Sequence, residues 1–125
     1  MTRVLLIGQV PETVDFTNPA LPPGMSAEKI HAGVVQTLAD MRSRGWEAEN
    51  CFIHPDATAG PTVTQALSAA TYDCVVIGAG VRLPPPSLHL FETVLNAVHK
   101  AAPRASIAFN TRPEDSADAA ARWVG

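Results

Sequence analysis

Two short segments constrain this chain more than any other feature. Val4-Leu5-Leu6-Ile7-Gly8 and Cys74-Val75-Val76-Ile77-Gly78 are unbroken apolar runs, partly β-branched, and each stops at a glycine. A strand with one wet face alternates apolar and polar residues. An unbroken run means that both faces are covered, as in the centre of a parallel sheet flanked by helices. Ala105-Ser106-Ile107-Ala108-Phe109 is a third such run. Glu47-Ala48-Glu49-Asn50-Cys51-Phe52-Ile53 begins just after Gly45 and is far more polar, which suits an edge strand.

Helical patterns follow each strand. Ser26 is placed to cap a helix carrying Ile30, Val34, Leu38 and Met41, and Arg42 and Arg44 precede the stop at Gly45. Pro61 opens a shorter helix with the stripe Val63, Ala66, Leu67 and Ala70. A third helix starts at Ser87 and runs to about Lys100, with apolar residues over half its circumference. Thr111-Arg112-Pro113-Glu114 reads as a capping box, Thr111 being the N-cap and Glu114 the return partner, for an alanine-rich helix to Trp123.

Four alternating strand–helix units predict an α/β fold. Right-handed crossovers, with the two most apolar strands central, give a three-layer α/β/α doubly wound parallel sheet of order 2-1-3-4. The first and last helices share one face and the two middle helices the other. Residues 1–125 suffice for a single domain, which hides roughly two-thirds of its unfolded surface and needs no disulfide or metal.

Charge narrows the partners. A net charge of −3, with Lys29 and Lys100 the only lysines, leaves no basic stripe for nucleic acid. No apolar run reaches the ~18 residues of a membrane span, and the N-terminal run is too short for a signal peptide. Cys51 and Cys74 lie in separate strands and read as buried, reduced thiols, from which a cytoplasmic location is expected. A charged fraction of only 17% leaves apolar surface that a second copy would cover, so a homo-oligomer is expected.

Open α/β sheets bind ligands beyond the strand carboxyl ends, where neighbouring connections diverge. That crevice falls between the first and third strands. Gly8, Gln9, Gly78 and Gly80 line it, with Arg82, His54 after the second strand, and Asn110 and Arg112 after the fourth. The glycines permit close backbone approach, or else form a tight exit from the strand. Arg82 and Arg112 supply cations for a carboxylate or phosphate. Pro84-Pro85-Pro86 forms either a rigid wall or a spacer. His54 beside Asp56 is the candidate for proton transfer, with Glu12 or Asp15 as loop partners. His31, His89 and His99 do not pair with one another. No metal spacing, dinucleotide fingerprint or nucleophile elbow occurs, so no cofactor or reaction is named. Between Gln9 and Met25 the connection is much longer than the usual 2–6 residues or so, and carries Val14, Phe16 and Leu21. This loop is expected to fold back over the sheet end or pack on a neighbour.

The layout resembles the flavodoxin and response-regulator receiver superfold across nearly the whole chain. The resemblance implies architecture alone. Gly8-Gln9 stands where a receiver has its acidic pair, and Gly78 where it has the phosphoaccepting aspartate. The fifth strand with its lysine has no counterpart. Pro11 to Gly24 replaces the Ser/Thr-rich phosphate loop of flavodoxins. The leading expectation is a small anionic ligand bound at the strand ends under the proline-rich loop. The rival is a non-catalytic, receiver-like homodimer using the broad third helix and Trp123.

Overall fold

The computed structural model describes residues 1–19, 21, 23–82 and 87–124. The run Pro84 to Pro86 therefore lies outside the described residues. Strands β1 (Arg3–Gln9), β2 (Glu47–Ile53), β3 (Cys74–Ile77) and β4 (Ser106–Phe109) form one parallel sheet in the order β2-β1-β3-β4. The register pairs Leu6 with Asn50 on one side and with Val76 on the other. Helices α1 (Ala27–Ser43), α2 (Ala59–Ser68), α3 (Ala79–Arg82), α4 (Leu88–Ala101) and α5 (Ser116–Ala121) cover it, with 3₁₀ turns at Pro11–Thr13 and Pro113–Asp115. The three-layer architecture and strand order are those expected.

Strand alternation explains why the central runs are apolar throughout. Leu5, Ile7, Val75 and Ile77 point to one face and pack with Val63, Val94 and Val98 of α2 and α4. Val4, Leu6, Cys74 and Val76 point to the other and pack with Val34, Met41, Ala117 and Ala120 of α1 and α5. Each fully buried Leu, Ile or Val contributes about 1.5–3 kcal/mol relative to exposure, so neither face tolerates polar substitution. Among the described residues, no helix is long and apolar enough to cross a membrane.

The helix signals act largely as expected. Ser26 is extended and its Oγ accepts from Lys29 N at 3.2 Å. Gly45 ends the turn with φ +86°, a conformation that a Cβ would oppose. Three local expectations need correction. Helix α2 begins at Ala59, two residues before Pro61, because Asp56 Oδ1 accepts from Thr58 N at 2.9 Å and starts the turn earlier. The last helix ends at Ala121, short of Trp123. Its cap uses Asp115 and not Glu114: Asp115 Oδ1 accepts from Thr111 N at 3.0 Å, and Thr111 Oγ1 also donates to this carboxylate. The 3₁₀ turn at Pro113–Asp115 carries Glu114 away toward Gly33 of α1, where even a methyl group would collide with the carboxylate.

Candidate functional site

The β1 and β3 exits meet because residue 78 has no side chain. Gly78 N donates to Ile7 O at 2.8 Å. A Cβ there would sit 3.0 Å from Ile7 O and 3.7 Å from Gly8 Cα. Close backbone approach, and not an unusual dihedral, is what requires glycine. The chain then turns directly into α3. Ala79 N donates to Asn110 Oδ1 at 2.8 Å, Asn110 Nδ2 donates to Ser116 Oγ at 2.9 Å, and Ser116 Oγ donates to Pro113 O at 2.7 Å. Asn110 is only 4% exposed. One carboxamide thus ties the ends of β3 and β4 to the start of α5.

Beside this junction, on the α1 face, lies a cavity of about 460 Å³. Leu6, Asn50 and Phe52 form its sheet wall, Ile30 and Val34 of α1 face them, and Val14, Phe16 and Leu21 close it from the long loop. The loop therefore folds back over the sheet end. Gln9 holds its first turn, donating from Nε2 to Thr13 O at 3.0 Å and to Thr13 Oγ1 at 3.1 Å. Glu12 pairs with His31 Nε2 at 2.9 Å, and the His31 ring stands edge-on to Phe52 with centroids 5.5 Å apart. The hydrogen bond from His31 holds the Glu12 carboxyl below its ordinary range. Thr17 does the same for Asp15, donating from its N and Oγ1. Cavities of this size, mostly apolar with a few polar groups, are the usual form of a small-molecule site.

Six of the expected site residues line this cavity: Gly8, Gln9, Gly78, Gly80, Asn110 and Arg112. Two stand apart. Arg82 donates from Nη2 to Asn110 O and lies 5.0 Å over the Phe109 ring, so its guanidinium braces the end of β4. Burial lowers its pKa, and its Nε has no hydrogen-bond partner. His54 is exposed and lines neither this cavity nor a second one. Its neighbour Asp56 accepts from Thr58 N and Oγ1, which pulls the carboxyl below its ordinary range. The suggested loop partner Glu12 is taken by His31. The second cavity, of about 790 Å³, lies across the loop and shares Gln9, Val14, Leu21 and Gly80 with the first.

Asn50, Phe52 and Glu114 also line the first cavity, and none of them is among the expected site residues. Strand parity held the clue: residues 48, 50 and 52 share a face, so Asn50 falls between Ala48 and Phe52 on the side that α1 covers. Among the described residues, no group of three or more His, Cys, Asp or Glu side chains is placed to hold a metal ion. Both thiols are buried and free, and burial raises them, Cys74 to about 11. The chain matches no protein-family model and no curated protein sequence.

Proposed function

We propose that this protein binds a small molecule at the β1/β3 exits, its apolar body under the loop and an acidic group at Arg112. The observation that carries this reading is the cavity of about 460 Å³, where residues from β1, the β3 and β4 exits and the loop converge. Arg112 is the cation on its wall among the described residues, with Glu114 nearby to limit how much negative charge is accepted. Arg82, braced against Asn110 and Phe109, supports the wall from behind. No proton-transfer step is assigned to His54, which lies outside the cavity.

A thermal-shift screen of organic acids, sugar phosphates, nucleotides and flavins tests this directly. Ligand at ~100 Kd adds about 2.7 kcal/mol of stability. Arg112→Ala is expected to weaken any acidic hit at least tenfold, whereas Arg82→Ala acts mainly on stability. Acidic ligands that bind Arg112→Ala as tightly as wild type remove the anion contact from the proposal.

A second reading, a homodimeric interaction module, draws on apolar exposure. β4 is an open sheet edge, and Phe109 is 39%, Trp123 61% and Leu88 63% exposed. A single monomer mass by light scattering at high protein concentration contradicts it.

A further inference from the structure

Asn50 lies on the sheet wall of the cavity, a polar side chain beside Leu6 and Phe52. Its Oδ1 is shielded from solvent and has no hydrogen-bond partner, and its amide nitrogen donates to no described residue. This differs from the other carboxamides around the cleft: Asn110 uses both ends of its amide, and Gln9 uses its nitrogen on Thr13. Buried polar groups in folded proteins are nearly always paired, so a shielded carboxamide oxygen left idle in an apolar wall requires an explanation. Leucine of similar size would pack there without that cost.

We infer that Asn50 reads the ligand, which presents a hydrogen-bond donor beside an acceptor on the edge of a flat, otherwise apolar ring. A carboxamide accepts through its oxygen and donates through its nitrogen, so it pairs two-fold with a primary amide or with an amino group next to a ring nitrogen. Flatness follows from the pairing, because a donor and an acceptor that meet a carboxamide side by side lie in one plane with it. The ring must enter between Leu6 and Phe52 on the sheet and Ile30 and Val34 on α1. An aromatic body meets the edge and face of Phe52 favourably. With this edge innermost, an acidic substituent on the opposite side of the ring points outward to Arg112. The ligand class is thus a flat amide or amino-heterocycle bearing an acid. This inference rests on the cavity reading above and adds the group that decides which ligands enter.

Two parent probes, adenosine 5′-monophosphate and 4-carbamoylbenzoate, are titrated against their counterparts dimethylated on the exocyclic nitrogen. Nitrogen-15 spectra report Kd and the side-chain NH₂ signals of Asn50. The inference predicts that at least one parent binds about tenfold or more tightly than its dimethylated counterpart, with the Asn50 NH₂ signals shifting. In Asn50→Leu that preference falls below twofold. Because the parent-to-counterpart ratio is measured on the wild type, the test survives a variant that fails to fold. Ile30→Trp, which fills the cavity, separates the two claims. Parents and counterparts binding equally, and both lost in Ile30→Trp, overturn the role of Asn50 and leave the cavity as the site. Binding of no probe to the wild type, or binding that persists in Ile30→Trp, overturns both.

Discussion

Replacing Asn110 with alanine removes the junction on which the strand ends depend. Two hydrogen bonds disappear, a part-buried one from Ala79 N and a buried one to Ser116 Oγ. Each is worth about 1 kcal/mol net, and leaving the half-buried Ala79 N–H without its partner adds a desolvation cost of up to the same order or somewhat more, for a total of about 2–4 kcal/mol. That is a large share of the 5–15 kcal/mol or so that stabilises an ordinary domain. For a chain of this size it lowers Tm by roughly 6–20 °C. Urea unfolding gives the free energy, and a double-mutant cycle with Ser116→Ala isolates the Asn110–Ser116 bond. The cycle should return a coupling of about 0.5–1.5 kcal/mol. Loss of less than about 0.5 kcal/mol in Asn110→Ala, or additivity within error in the cycle, refutes the claim that this residue ties the exits together.

Other expectations are equally concrete. Gly78→Ala places a methyl 3.0 Å from Ile7 O, a backbone atom with no freedom to swing away, and should cost about 1–3 kcal/mol; a neutral result in chemical denaturation contradicts the close approach of β1 and β3. The buried Cys74 thiol, raised from 9.0 to about 11, favours the fold fully below about pH 9, and this contribution is lost as pH rises through about 11. The alkaline decline in urea midpoint should therefore be shallower in Cys74→Ala, and identical declines speak against it. Glu12 is held below 4.5 by His31, so its contribution is present above that value and fades as pH falls through the lowered one. In His31→Ala its carbon-detected titration should move up toward 4.5, and an unmoved midpoint means the pair does not form.

The fold was legible because its signals are local and redundant. Val4–Ile7 and Val75–Ile77 are apolar at every position, which only a strand covered on both faces explains, and β2 begins where the Gly45 stop places it. The candidate site was legible in part, since glycines at strand ends mark close approach whatever surrounds them. What escaped the sequence depends on contacts between distant residues. Helix α3 starts at Ala79, whose N–H is taken by Asn110, 31 residues on. Arg82 turns to Phe109 and the Asn110 carbonyl, and Glu12 finds His31 across the loop. Thr111 could have been capped from either Glu114 or Asp115, and the choice was made by a 3₁₀ turn whose tighter geometry spacing alone does not reveal.

Mapping a hit from the ligand screen onto the backbone amides tests the central claim most directly. Chemical-shift changes should gather at Gly8, Gln9, Gly78, Gly80 and Asn110 to Glu114, with smaller ones at Val14 and Phe16 of the loop. Changes that gather instead along the open edge at Phe109, Leu88 and Trp123, leaving the two glycine exits unmoved, contradict it.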